Sequence, residues 1–231
     1  MRVVYAAGRW VFVVCLPLLL VTSSIWWAAN SHWLYTSGFE KYDVGRSTGL
    51  SGAELEKVAA GLIAYFNSPK ELLDLTVVRE GQPVDVFTAE ETLHFRDVKH
   101  LFRLDLYILI GTAAYVGGYT VAGIMLGERR RLARAALCGS GLALALMLLL
   151  GIGTLLDFDG LFLGFHRLAF TNELWSAEGR MLLLFPRDFW YDAAVYCAAA
   201  TGGAALGLAL VTGTYLTATR VRPGAPPGED G

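Results

Sequence analysis

Charged side chains are scarce in this chain of 231 residues. Aspartate, glutamate, lysine and arginine make up 17% of it, whereas 55% of the residues are hydrophobic and the mean hydropathy is +0.46. This composition excludes an ordinary soluble domain. The formal net charge is −2 and the arginines occur in short runs rather than on a broad basic face, so a nucleic-acid partner is excluded as well.

Cysteine is scarcer still, and its positions are informative. The three cysteines, Cys15, Cys138 and Cys197, all lie inside apolar runs, and none lies in a polar segment. This distribution excludes a disulfide framework and a zinc site built from cysteines. We interpret them as small hydrophobic side chains.

Long apolar runs are what the sequence does contain. Four of them reach the length of about 20 residues that a helix needs to cross a bilayer. They cover residues 10–29, 104–126, 135–156 and 191–218. The sequence therefore predicts an α-helical polytopic membrane protein with four transmembrane helices, the first of them an uncleaved signal anchor.

Arginine sets the predicted orientation. The connection at residues 127–134 is rich in arginine, and Arg2, Arg9, Arg220 and Arg222 lie on the same side of a four-span topology. Basic residues accumulate in cytoplasmic loops. Residues 1–9, 127–134 and 219–231 are thus predicted to be cytoplasmic, and residues 30–103 and 157–190 extracytoplasmic. The proline- and glycine-rich tail from Arg222 is predicted to be disordered.

The first predicted outer segment should fold as a small α+β region. Ser51-x-x-Glu54 is a capping-box pattern that opens an amphipathic helix ending near residues 67–69. Residues 76–79 and 84–87 are predicted to form two short strands. Thr88-x-x-Glu91 is a second capping box, and it opens a helix that leads into the second apolar run.

The second predicted outer segment, residues 157–190, is short and unusually apolar. Neither of its apolar pieces is long enough to span a bilayer. We therefore expect interfacial or re-entrant elements, with Trp175, Trp190 and Tyr191 as anchors.

All four histidines lie in the predicted outer segments. His94 shares one helix face with Glu91 and Asp97, and His166 leads a second polar and aromatic cluster. Two such clusters on one membrane face make a shared site plausible. Plainer alternatives stay open, in which Glu91 is only the capping carboxylate, Asn172 only closes a turn and Trp175 only anchors its loop.

The order of these motifs resembles the bacterial lipoprotein intramolecular transacylase family, Lit, long catalogued as integral membrane proteins of unknown function. The resemblance rests on Glu91-x-x-His94-x-x-Asp97-Val98-Lys99, on His166-x-x-x-Phe170-x-Asn172-x-x-Trp175, on Phe185-Pro186-x-x-Phe189 and on an early Gly38-Phe-Glu-Lys-Tyr42. It covers essentially the whole chain.

The resemblance implies an acyl transfer within one lipidated protein in the bacterial cytoplasmic (inner) membrane, at its extracytoplasmic face. The sn-2 acyl chain of a diacylglyceryl-modified lipoprotein would move to the α-amine of the same cysteine, giving a lyso-form N-acyl lipoprotein. An ester becomes an amide, which is downhill, so no cofactor or metal is expected. The implied partners are diacylglyceryl lipoproteins and membrane lipid.

A transfer of this kind needs few groups, and the two motifs supply candidates. His166 is the expected general base and His94 the assisting residue, although their roles could be exchanged. Glu91 or Asp97 would fix a histidine tautomer, and Lys99, Asn172 or a backbone N–H would stabilise the oxyanion. The substrate-interface candidates are Tyr42, Phe170 and Trp175.

Two alternatives belong to other classes. Glu91, His94 and His166 could form a His₂Glu zinc site in a membrane hydrolase, although no tight spacing supports it. Alternatively, the outer face could bind a protein without catalysis, as in a sensor or an assembly partner, since interfacial aromatics and acidic residues also fit that role.

Overall fold

Long helices account for most of the computed structural model, which describes residues 2–176 and 179–219. The helices are α1 Arg2–Asn30, α2 His32–Lys41, α3 Val44–Thr48, α4 Gly52–Phe66, α5 Ala89–Met125, α6 Arg129–Ala169, α7 Arg180–Leu184 and α8 Arg187–Ala218. The strands are β1 Thr76–Arg79 and β2 Gln82–Asp85, and a 3₁₀ turn covers Leu174–Ser176.

Four of these helices, α1, α5, α6 and α8, are long and apolar enough to cross a membrane. The predicted four-helix membrane architecture with a small two-stranded sheet is therefore confirmed. The predicted disorder beyond Arg222, and the contribution of Arg220 and Arg222 to the orientation, concern residues outside the described ranges.

Helix α1 lies at the centre of the bundle, because it packs against α5, α6 and α8, and α6 packs along α8. Small side chains permit the close approach of α1 and α6. Phe12, Val13 and Leu16 pack on Ala135 and Ala136 in a buried cluster. This packing fixes the relative positions of the two helices that carry the candidate histidines, since α5 and α6 both rest on α1.

Helix α5 begins at Ala89, well before the second apolar run, and continues unbroken through that run. Its start is the predicted capping box: the Thr88 hydroxyl accepts from the Glu91 N–H, and the Glu91 carboxylate accepts from the Thr88 N–H at 2.8 Å. The corresponding box at α4 is only half formed. Ser51 accepts from the Glu54 N–H, but the Glu54 carboxylate instead bonds Lys57 and the Val78 N–H.

The β-hairpin corrects one prediction. Strand β1 has the predicted bounds, but β2 covers Gln82–Asp85 and not residues 84–87. Glu80 and Gly81 both have positive φ, 52° and 77°, so a tight two-residue turn replaces the expected four-residue one. Pro83 consequently lies within β2, opposite Val78, in a two-stranded sheet where no third strand needs its missing N–H.

Helix α6 bends sharply where the third apolar run ends. Asp157 has non-helical backbone angles (φ −156°, ψ 80°), and its carboxylate accepts from the Gly160 N–H at 2.8 Å, as an N-cap does. Beyond the bend the side chain of Leu161 reaches back to the backbone of Gly153. Residues 158–169 thus form a separate helical arm, and its interfacial position stays a prediction.

A second core holds the polar lobe together, formed by α2, α3, α4, the hairpin, the start of α5, α7 and the start of α8. Its fully enclosed side chains include Val44, Val58, Leu62, Val86 and Leu184. Because α5 and α8 contribute to it directly, the lobe and the bundle share two helices. The lobe therefore holds the start of α5, where His94 lies, in a fixed position.

Candidate active site

The imidazoles of His94 and His166 lie together, although they come from distant segments of the chain. Their ring centroids are 6.3 Å apart and their planes are inclined by 24°. Both side chains are buried, with 5% and 8% of their surface exposed. The convergence expected from the two motifs is therefore present: α5 supplies one ring and the 158–169 arm supplies the other.

The arm reaches His94 by crossing from α8 to α5. Phe158 contacts Tyr191 and Phe162 contacts Trp190, both near the start of α8. One turn further along the arm, His166 meets His94. The bend at Asp157 thus directs the arm across the bundle instead of continuing the axis of α6.

A backbone carbonyl fixes the tautomer of His166. Its Nδ1 lies 2.7 Å from the carbonyl oxygen of Phe162, one helical turn earlier. A carbonyl can only accept, so Nδ1 carries the hydrogen and the Nε2 of the neutral ring keeps its lone pair. Sequence reasoning assigned this role to Glu91 or Asp97 and missed Phe162, since any residue at this position would offer the same carbonyl.

His94 has a different environment. Its Nδ1 is buried and has no hydrogen-bond partner among the described residues. Buried polar nitrogens are nearly always bonded, so an unpartnered one marks a position where a substrate atom could bind. Phe170 lies edge-on to the ring at 5.0 Å.

Burial keeps both rings neutral. It lowers the pKa of His94 to about 4, helped by the nearby His166 and opposed by the carboxylate of Asp97. Burial likewise lowers the pKa of His166, opposed by its bond to the Phe162 carbonyl. Both residues lie beyond the apolar runs 104–126 and 135–156. Two neutral imidazoles near pH 7 can each accept a proton or donate an N–H.

Glu91 has no exposed surface, and backbone bonds occupy both of its carboxylate oxygens. Oε2 accepts from the Thr88 N–H, and Oε1 accepts from the Met181 N–H at 2.6 Å. Gly179 passes so close that a Cβ on it would collide with Oε1. Glu91 therefore caps α5 and ties α7 to it, and it forms no hydrogen bond to His94 in the described part of the chain.

Asp97 and Asn172 form a link across the site. The amide nitrogen of Asn172 donates to Asp97 at 2.9 Å, and its amide oxygen accepts from the Leu174 N–H. The link attaches the loop after the arm to α5. Asp97 acts on His94 through its charge, since none of the hydrogen bonds among the described residues joins them.

Two predicted site residues point elsewhere. Lys99 is 1% exposed, and its ammonium donates to the Ser68 hydroxyl and the Lys70 carbonyl beside the Tyr65 ring. Five residues of helix place it about 140° around α5 from His94. The hydroxyl of Tyr42 lies within hydrogen-bond distance of Asp192 and of the Asp188 carbonyl, so it joins α2 to α8.

Aromatic side chains enclose the histidine pair. Trp175 lies 5.2 Å and Phe170 5.5 Å from the His166 ring, between centroids. Both also line an open hollow of about 340 Å³, together with Arg167, Thr171, Asn172 and Glu173. This volume is at the lower end of ligand pockets, which hold roughly 300–1,000 Å³. The hollow therefore adjoins the histidine pair through Phe170 and Trp175, which contact His166 and line the hollow.

The predicted zinc alternative lacks its third ligand. In residues 2–176 and 179–219, no group of three histidine, cysteine, aspartate or glutamate side chains could hold a metal ion. Both oxygens of Glu91 are occupied by backbone N–H groups, as described above. The geometry thus supports a two-histidine site rather than His₂Glu.

Comparisons with known proteins bear on the family and the fold of the chain. The profile of the lipoprotein intramolecular transacylase family Lit matches residues 10–190. No curated protein matches the chain. In meso structures of the membrane-integral lipoprotein intramolecular transacylase from Bacillus cereus do match it. One has a TM-score of 0.80 at 20% identity, covering 94% of this chain and 98% of that one.

A second structure from Bacillus cereus, in which one histidine is replaced by arginine, has a TM-score of 0.74 at 19% identity. It covers 92% of each chain. A third carries alanine at that histidine, with the same TM-score. At this level of identity the structural likeness shows a shared fold.

Proposed function

Because the chain belongs to the lipoprotein intramolecular transacylase family, we propose that it moves the sn-2 acyl chain of a diacylglyceryl-cysteine to the α-amine of that cysteine. The protein is a multi-pass membrane acyltransferase that acts on lipoproteins. We further propose which acyl position reacts, which residues catalyse the transfer and on which side of the membrane they lie. The observation that carries it is the buried His94–His166 pair, 6.3 Å between ring centroids.

In this proposal His166 is the general base. Its Nδ1 hydrogen is held by the Phe162 carbonyl, so Nε2 is free to accept a proton from the attacking amine. A free α-amine has a pKa of about 7.7–8.0, so a usable fraction is neutral at pH 7. A positioned base of this kind contributes typically about 10²–10⁴-fold.

The proton and the bonds balance without a further reagent. The amine nitrogen bonds to the ester carbonyl carbon, and His166 takes the proton that the nitrogen must lose. The tetrahedral intermediate collapses by breaking the bond between that carbon and the sn-2 oxygen, which receives the proton from His166. The products are an amide and a free glyceryl hydroxyl.

His94 assists by donating an N–H to the oxygen that becomes negative. Its ring stays neutral because burial lowers its pKa, and its Nδ1 has no protein partner in the described part of the chain. A donor already in place for the developing oxyanion is worth more than one that must be reoriented from water. Asn172, attached to Asp97, is a second candidate donor at the edge of the hollow.

The remaining residues position the site. Glu91 and Lys99 hold the start of α5 to α7 and to the 68–70 loop, and Tyr42 holds the start of α8. Holding an amine and an ester together is worth roughly 7–11 kcal/mol in favourable cases, so this support matters as much as the base. Phe170 and Trp175 shield the reacting groups.

The placement follows from the arginine pattern. Arg129, Arg130, Arg131 and Arg134 follow the turn between α5 and α6, which we place in the cytoplasm of a bacterial inner membrane. The lobe and the histidine pair then face outward. A lipoprotein whose acyl chains lie in the bilayer would present its cysteine at this level.

The test uses the full-length protein in lipid nanodiscs and a synthetic dipalmitoyl-glyceryl-cysteinyl peptide. Intramolecular transfer leaves the mass of the peptide unchanged, so tandem mass spectrometry must locate one acyl chain on the amine. We expect His166→Ala to lose at least about 100-fold in rate, His94→Ala to lose activity as well, and the exposed control His100→Ala to retain it.

Each outcome is decisive. Normal transfer by both His94→Ala and His166→Ala would overturn the assignment of the site. A peptide that loses the mass of one acyl chain would reveal a hydrolase. A wild-type protein without any conversion of this substrate would overturn the proposed reaction itself.

A further inference from the structure

A second cavity lies in the polar lobe, away from the histidine pair. It has a volume of about 160 Å³ and is partly enclosed. Most of its lining residues are aliphatic, and the others are two arginines and two hydroxyl-bearing residues. Its lining residues are Ser47, Thr48, Leu50, Val77, Arg79, Val84, Val86, Arg180, Leu183 and Leu184.

The described part of the chain places basic but no acidic side chains on this cavity. Two arginines line it, and no acidic side chain does, among the described residues. Arg180 donates to the main-chain carbonyl of Asp85, which neutralises no charge. The side chain of Arg79 forms no hydrogen bond and no ion pair with any residue in 2–176 or 179–219, and its guanidinium packs against the backbone of Gly49. Paired guanidinium groups of this kind match a carboxylate or a phosphate.

The size of the cavity and its aliphatic lining residues favour a carboxylate side chain over a phosphate. A cavity of about 150 Å³ holds one benzene molecule, so this one accommodates five or six heavy atoms. That is the size of a glutamate side chain, and the aliphatic lining residues suit its methylene groups. A phospholipid headgroup is larger, and an inorganic phosphate has no apolar part to contact the aliphatic lining residues.

The cavity is connected to the histidine pair through a short path. Arg180 precedes Met181, whose N–H bonds the Glu91 carboxylate, one turn of α5 before His94. The distance from the cavity to the histidines is therefore on the order of 15 Å, which about five residues of extended chain can span. A polypeptide attached to a cysteine at the histidine pair could reach the cavity.

The geometry points to a docking site for an acidic side chain of the lipoprotein substrate, roughly five residues after the lipidated cysteine. This inference rests on the proposed function and adds a determinant of substrate choice to it. Arg79 and Arg180 bind the carboxylate, and Val77, Val84 and Leu184 contact its methylene groups. The site selects substrates without touching the reacting atoms.

The experiment compares two sets of diacylglyceryl-cysteinyl peptides with the full-length protein in nanodiscs. One set carries a single glutamate at successive positions 2–8, and the other carries glutamine at the same positions. We expect KM to be about tenfold lower for glutamate near position 5 than for glutamine there, with similar kcat, as for one charge-assisted hydrogen bond.

Variants assign the effect to the cavity. Arg79→Gln and the double variant Arg79→Gln/Arg180→Gln should abolish the preference for glutamate while leaving kcat on the glutamine peptides unchanged. Arg46→Gln, an exposed arginine of the same lobe outside the cavity, should keep it. The single variant Arg79→Gln guards against a folding defect, because its side chain has no partner to lose in the described structure.

The outcomes separate this inference from the reaction. Equal KM values for all peptides, with transfer intact, would overturn the docking site alone. Competition by millimolar inorganic phosphate, or a requirement for phosphatidylglycerol in the nanodisc, with no glutamate preference, would assign the arginines to phosphate and overturn it too. Absence of transfer from every peptide would instead contradict the proposed function.

Discussion

The side-chain amide of Asn172 donates to the carboxylate of Asp97 at 2.9 Å, joining the loop after the 158–169 arm to α5. This bond connects two sequence motifs, and it lies beside the histidine pair. Trp175 contacts His166 from the same loop. The bond therefore determines where the loop, and with it one wall of the site, is held against α5.

Removal of the Asn172–Asp97 bond should lower kcat more than it lowers stability. A displacement of about 1 Å at a catalytic site can cost roughly 10²-fold in rate, whereas one partly exposed hydrogen bond contributes about 1 kcal/mol to folding. We expect Asn172→Ala to reduce the transfer rate by about 10–100-fold. Asp97→Asn should retain the bond, since its amide oxygen can accept, and should keep most of the activity. Equal loss in both variants would contradict the positioning role.

Replacement of Glu91 should destabilise the protein. Glu91→Ala leaves the Thr88 and Met181 N–H groups without their acceptor, at about 2–4 kcal/mol in total. The exposed neighbour Glu90→Ala should change stability by no more than about 0.5 kcal/mol. Thermal unfolding in nanodiscs measures both. If Glu91→Ala unfolded at the wild-type temperature and lost only activity, Glu91 would have a chemical role instead.

The bend at Asp157 should matter more for activity than for folding. Asp157→Ala removes the acceptor of the Gly160 N–H, at a cost of about 1 kcal/mol, and lets the arm continue the axis of α6. His166 would then move away from His94. We expect a strong loss of transfer with little change in unfolding temperature. Asp157→Asn, which caps a helix as well as aspartate does, should restore the rate.

The pH dependence should show two slopes on the acid side. The substrate amine, with a pKa of about 7.7–8.0, gives a first decrease in kcat/KM below pH 8. Burial lowers the pKa of His94 and of His166, so their protonation should steepen the decrease only below about pH 6.5, the ordinary histidine value. A steeper slope already at pH 7.5 would contradict neutral, buried rings.

A variant of Asp97 serves as a control for the pH dependence of kcat/KM. Its carboxylate raises the pKa of His94, so Asp97→Asn should move the steepening to lower pH. The stability of the folded protein should also decrease as the pH falls. An unfolded chain protonates His94 near pH 6.5 and the native one near pH 4, so the stability contributed by the neutral ring is lost as the pH falls through that interval.

Local sequence patterns were enough to predict four long apolar helices and the capping box at Thr88, because both depend on neighbouring residues. The bounds of β1 and the end of α4 followed for the same reason. The register of β2 did not, since a tight turn at Glu80 and Gly81 was not distinguished from a longer one. Helices α2 and α3 have weak periodicity and depend on packing within the lobe.

The candidate site was predictable only as a set of residues. Two motifs indicated His94 and His166, but no local pattern gives the distance between the rings. The bond of Glu91 to Met181 and that of Lys99 to the 68–70 loop are long-range contacts. The Phe162 carbonyl carries no side-chain signal. An aspartate directly after the third apolar run, three residues before Gly160, could have indicated the bend.

The aromatic rings around His94 and His166 have a consequence for the fate of the acyl group. In any active site that cleaves an ester, water can attack the ester in place of the intended nucleophile, and exclusion of solvent suppresses this hydrolysis. Both imidazoles are less than a tenth exposed beneath Phe170 and Trp175. The α-amine of the substrate cysteine should therefore attack the ester faster than water does. Opening this aromatic enclosure to water, for example by Trp175→Ala, should increase hydrolysis of the ester and release free fatty acid.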